Sequence, residues 1–186
     1  MALVDDLPVM RWVRRLERVT DTLAGLGAVI IVPLMIAMVY EVVSRRLLEA
    51  PTAWAYEVSY MMMGTIFMFG MAYAMKQREH VTVDLFYARM SPRAQAIVDL
   101  IGLTLLLIVV VWLVFGLYDY MMRALTRGQR SGQSAWNPQI WPYRCVFVIG
   151  FVVLSLQTML EWLKALLALR FGRRPSLAPS SYADEH

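Results

Sequence analysis

The sequence predicts an all-α membrane protein: four transmembrane helices plus short interfacial amphipathic helices. Three observations carry that reading. Hydrophobic residues make up 59% of the 186 and mean hydropathy is +0.53, while charged residues are only 17%, against roughly 25% in soluble domains. The charges that exist are clustered, leaving Thr22–Tyr40, Val58–Met75, Leu100–Tyr118 and Cys145–Leu160 without any. A helix needs about 20 apolar residues to cross about 30 Å of hydrocarbon, and each run is close to that length. Finally, Leu103–Val114 has no polar stripe, which a buried helix of a soluble bundle normally shows.

Taken in order, residues 1–21 read as a cytoplasmic interfacial helix. Val9, Trp12, Leu16, Val19 and Leu23 share one face, and Arg11, Arg14, Arg15 and Arg18 occupy the other, the pattern of a helix lying on an anionic leaflet. The four-helix domain spans 22–169, with crossings at about 22–43, 54–75, 95–118 and 140–169. The first run is too long for the core of a secretory signal, and Arg45-Arg46 follow it where a cleavage site would have small residues. Pro33 is placed to kink this span, a distortion that neighbouring helices tolerate.

After the second span comes a charged turn, "KQREH", and a second short apolar face made by Val83, Phe86, Tyr87 and Met90. Ser91 is then placed to cap the third helix, with Pro92 at its first position. The third loop, "TRGQRSGQSAWNPQIWPYR", is polar at first and ends with Trp136, Trp141 and Tyr143 at the interface. Residues 170–186 lack apolar periodicity and read as a disordered cytoplasmic tail. Of the 18 basic residues, twelve fall in the N-terminal segment, second loop and C-terminal end, and six in the first and third loops. The positive-inside rule then places both termini in the cytoplasm.

Chemistry is sparse. The histidines are His80 and His186 and the only cysteine is Cys145, so no haem ligand pair, zinc site or disulfide is expected. No nucleophile–base pair or phosphate-binding loop appears, which argues against an enzyme, a cofactor or a nucleic-acid partner. Glu41, Glu57, Asp99, Asp119 and Glu161 all sit near span ends, whereas a self-sufficient ion-coupled carrier needs a polar group or broken helix near the midplane. What the spans offer is packing surface. Gly64 and Gly70 are small residues that let helices approach, and a methionine-rich second helix is adaptable. That surface serves internal packing, docking of another membrane protein, or both.

The loop residues form an ordered pattern. Arg45-Arg46 close the first span, and Trp54 and Glu57 open the second within "PTAWAYEVS". Arg78, His80 and Asp84 follow it within "KQREHVTVD", and "WNPQIWPYRCVFVIG", with Trp141, brings in the fourth. The chain resembles the small permease (Q) subunit of tripartite ATP-independent periplasmic (TRAP) transporters over roughly residues 20–165. One residue separates Arg78 from His80, where the family pattern has two.

The resemblance implies a subunit that catalyses nothing alone and braces a large multi-helix permease during sodium-coupled uptake. The substrate is often an organic acid and is delivered by a periplasmic binding protein. It also favours a structural role for Arg78, His80 and Asp84, as a hinge joining the second helix to the short interfacial one. From physics alone, a solvated histidine favoured by a helix C-terminus serves equally well. Glu57 is expected to pair with an arginine, in this chain or in the permease. Two other classes remain: an autonomous four-helix small transporter working as a homodimer, and a membrane anchor for a soluble enzyme.

Overall fold

The computed structural model describes residues 8–77 and 91–171. They form four helices: α1 (Pro8–Leu47), α2 (Ala55–Gln77), α3 (Pro92–Thr126) and α4 (Trp141–Phe171). Among the described residues β-structure is limited to one antiparallel bridge, Arg130 to Gln139. The expected all-α, four-span architecture is what the chain adopts. Arg78, His80, Asp84, the short helix expected over residues 83–90 and the tail from 172 lie outside the described residues.

Each helix contains a stretch long and apolar enough to cross a membrane; the shortest, Ala55–Gln77, has 23 residues. At 1.5 Å per residue that is about 35 Å, enough for a hydrocarbon core of about 30 Å. From Pro8 onward, the segment read as a separate interfacial helix is the beginning of α1, which continues unbroken through Pro33 to Leu47. α3 runs past Tyr118 to Thr126 and stops where Gly128 takes φ +57°, a conformation that costs glycine nothing. At its start, Ser91 caps the helix by accepting from the Ala94 N–H at 3.4 Å, with proline in the first turn.

The helices pack in the spatial order α1, α2, α4, α3, with only light contact between α1 and α4. The core is thin. Ala72 and Met75 of α2, Val110 of α3 and Leu154 of α4 form its centre, and Met71, Leu103, Leu106, Phe151 and Val153 pack around them. The outer helices leave long apolar stripes uncovered: Val29, Val32, Ile36 and Val39 on α1, and Ile101, Leu105, Ile108, Trp112 and Phe115 on α3. Water would not tolerate such stripes on a monomer; lipid or a partner helix satisfies them.

Candidate functional site

The polar chemistry of the bundle is concentrated at its two ends. At the end where α1 passes into α2, Ser44, Glu49 and Ala50 close α1. The Ala50 N–H reaches back to the Ser44 carbonyl at 3.2 Å, and Glu49 between them has φ 51°. A left-handed residue just past the last turn is a common way to end a helix, here with a residue other than glycine at that position.

Glu41 then ties the connection down. One carboxylate oxygen accepts from the Thr52 N–H at 3.0 Å and from the Thr52 hydroxyl. The other accepts from Arg45, whose Nε lies at 3.1 Å. The Thr52 hydroxyl also accepts from the Ala55 N–H at 3.3 Å, at the first residue of α2. Arg45 is thus committed to Glu41 and does not pair with Glu57 within this chain. Arg46 is exposed. Trp54, three residues before Glu57, stacks on Tyr40 of α1 with ring centroids 5.9 Å apart. The two residues that open α2 therefore serve different contacts.

Glu57 is completely buried. Its Oε1 accepts from the hydroxyl of Ser134, a residue of the loop between α3 and α4. Its Oε2 has no hydrogen-bond partner among the described residues. The loop is folded around Ser134, whose hydroxyl oxygen accepts from the N–H groups of Trp136 at 3.2 Å and Asn137 at 3.5 Å. Asn137, at φ 44°, accepts on its side-chain oxygen from the Gly132 N–H at 2.9 Å. Pro138 and Gln129 accept from Ser131 and Ile140 at 3.0 and 3.1 Å. A segment whose composition reads as plain polar loop is a compact, hydrogen-bonded hairpin pinned to α2 by one buried carboxylate.

Arg144 performs the matching function on α4. Its Nη1 donates to the Tyr120 carbonyl at 3.0 Å and to the Gln129 side chain at 2.8 Å. The guanidinium lies 3.4 Å over the Tyr120 ring centroid, a cation–π contact. The sequence shows Arg144 only as one more basic loop residue. Trp141 donates from Nε1 to Gln139 at 3.0 Å and so closes the base of the hairpin.

Below this end, Tyr143 of α4 occupies the space left by Gly64 of α2: a Cβ added at Gly64 would strike its hydroxyl and stand 3.0 Å from Cζ. Edge-on contacts with Tyr60 at 5.6 Å and Phe147 at 4.9 Å hold the ring in place. Farther along, a Cβ at Gly150 would lie 2.9 Å from the Met68 Cβ and 3.3 Å from its carbonyl oxygen. At Gly70, the other glycine singled out from sequence, an added Cβ would meet nothing within 4 Å among the described residues.

The opposite end is held by charge. Lys164 of α4 bridges Glu17 of α1 and Glu161 of α4, at 2.7 Å to each. Lys76 of α2 meets Asp21 of α1 at 2.6 Å. Between these pairs the buried Thr20 hydroxyl donates to Gln157 at 3.3 Å. The arginines of this segment dominate its helical wheel and hide the second polar group, Glu17, Thr20 and Asp21, that docks on the bundle. Four-residue spacing between Glu17 and Asp21 was the available signal.

Among the described residues no cluster of three or more His, Cys, Asp or Glu could hold a metal. The middle thirds of the four spans contain no ionisable side chain. The fold and its polar ends define a multi-pass protein of the inner membrane, with apolar outer faces and ends tied by hydrogen bonds and ion pairs. The family comparison is more specific. Residues 34–168 match the model of "Tripartite ATP-independent periplasmic transporters, DctQ component", so the chain belongs to the family of small Q subunits of TRAP transporters and is not an enzyme. The comparison with curated proteins returns no match.

Proposed function

We propose that this chain braces a large permease subunit during sodium-coupled uptake of an organic acid brought by a periplasmic binding protein. The observation that carries the reading is the distribution of polar groups. Both bundle ends are cross-linked by buried or half-buried hydrogen bonds and ion pairs, while the middle of every span lacks an ionisable group. Such a chain has no route for a charged substrate or a coupling ion, but it resists relative movement of its own helices. The outer stripes of α1 and α3 supply area for a permease helix and for lipid. With both termini cytoplasmic, as the basic-residue asymmetry favours, the hairpin of residues 129–140 faces the periplasm, where the binding protein arrives.

The test is transport by reconstituted permease with and without this chain. Bracing predicts that uptake depends on the chain, while substrate affinity and choice do not respond to its point variants. An autonomous homodimeric transporter would instead purify with itself and carry substrate alone. A variant here that switched the substrate, with assembly intact, would refute bracing.

A further inference from the structure

Where α1 ends and α2 begins, the surface opens into a cleft of about 360 Å³ lined by Met38, Glu41, Val42, Arg45, Arg46, Ala55, Tyr56 and Ser59. Its composition is graded along α1. Met38 and Val42 are more than half exposed and lie on the membrane side, and Arg45 and Arg46 lie at the rim. From Met38 to Arg46 is about 12 Å of helix, the depth from the headgroup into the upper acyl chain. We infer that this cleft holds a single anionic phospholipid, its phosphodiester at Arg46 and Arg45 and the start of an acyl chain against Met38, Val42 and Tyr56.

The charges at the rim select the headgroup. Glu41 is already occupied on both oxygens, by Thr52 and by Arg45, so it offers nothing to the ammonium of a zwitterionic lipid. Arg45 spends Nε and Nη2 on Glu41 and keeps Nη1 for another acceptor. Among the described residues the Arg46 side chain makes no hydrogen bond or ion pair, and it lines the same cleft. Two guanidiniums against one carboxylate leave a net positive rim beside an apolar wall. A phosphodiester accepts from guanidinium donors in the geometry arginine presents. An anion without acyl chains would leave the apolar wall uncovered.

Native mass spectrometry of the full chain, co-expressed with its permease and delipidated in detergent, tests this. It would be titrated separately with phosphatidylglycerol, phosphatidylcholine and inorganic phosphate. Phosphatidylglycerol should bind in preference to phosphatidylcholine, and Arg46→Gln should weaken it about fivefold, one surface cation's worth. Arg46→Lys should retain most of the preference. Because Arg46 is exposed and holds no polar partner among the described residues, loss of binding is not loss of folding, and an unchanged melting temperature checks that. Equal binding of the two lipids, or undiminished phosphatidylglycerol binding by Arg46→Gln, would overturn the proposal. Occupancy by inorganic phosphate that excludes the lipid would also overturn it and make the cleft a free-anion site.

Discussion

Gly64 and Gly70 lie on the same helix, both within its uncharged run, and both invite the same substitution. The structure separates them. Gly64→Ala places a methyl group against the Tyr143 hydroxyl and 3.0 Å from its Cζ, whereas Gly70→Ala meets nothing within 4 Å. Each exchange carries the same gain in helix propensity, roughly 1 kcal/mol, so the difference between the two isolates the packing cost. Tyr143 cannot swing freely, since Tyr60 and Phe147 contact its ring edge-on. Relief therefore requires a shift of the ring or of α4, and overpacking of this kind costs about 1–3 kcal/mol. Gly64→Ala should thus be less stable than Gly70→Ala by about 1–3 kcal/mol in thermal unfolding of the purified chain in detergent, followed by tryptophan fluorescence. Tyr143→Phe removes the hydroxyl and should recover part of the loss in the Gly64→Ala background. Equal stabilities for the two alanine variants, or no recovery with Tyr143→Phe, would refute the assignment of Gly64 as the seat of Tyr143.

Ser134→Ala removes the hydrogen bond to Glu57 and the turn it organises; a hydrogen bond to a charged group is worth about 1.5–3 kcal/mol. Unfolding should register a loss of that order, and limited proteolysis should cut near residue 133 faster. Lys164→Met takes away the ammonium between Glu17 and Glu161, and breaking a buried pair from one side costs about 3–5 kcal/mol, measurable as a lower melting temperature and lower complex yield. Glu49→Gly should stabilise the chain by about 0.5–1 kcal/mol, because a left-handed φ of 51° strains any side chain; a lower melting temperature would count against the left-handed turn at the end of α1. For topology, cysteines introduced singly at Gln133 and Ser176 over Cys145→Ser should react differently with an impermeant thiol reagent on intact spheroplasts. Position 133 should label and position 176 should not, and the reverse pattern would invert the orientation.

How much of this was legible beforehand follows from the physics of each feature. The four helices were, because charge-free runs of span length allow no other backbone structure in hydrocarbon. Ser91 and Pro92 announced the start of α3 by local chemistry alone. The partners of polar residues were not legible, because they depend on which helices become neighbours. Arg45 and Arg46 were the arginines expected to pair with Glu57 from this chain, yet Glu41 sits one turn before Arg45 and captures it at i, i+4. Glu57 then turns to Ser134, across 77 residues. Glycines posed the same difficulty. Gly64, Gly70 and Gly150 are equivalent as small residues, and only the rotation of α2 against α4 decides that the first and third face the partner helix.

The placement of polar groups has a mechanical consequence. Helices held only by apolar contact in a bilayer gain little from association, since lipid is as apolar as the neighbouring helix. Here α1 packs along α2 but only lightly on α4, and its outer stripe is uncovered, so one neighbour alone sets its position. Two polar attachments remedy this at opposite ends. Glu41 holds Thr52 beside α2, and Glu17 with Asp21 reaches Lys164 and Lys76. Leverage is greatest when restraints are farthest apart, so pinning a long helix near both ends suppresses tilting more than two pins at its centre would. A polar pair at the centre would also cost more in desolvation. A chain that must hold its shape while a larger neighbour moves beside it is best served by this arrangement: small-residue packing in the middle, hydrogen bonds and charge at the rims.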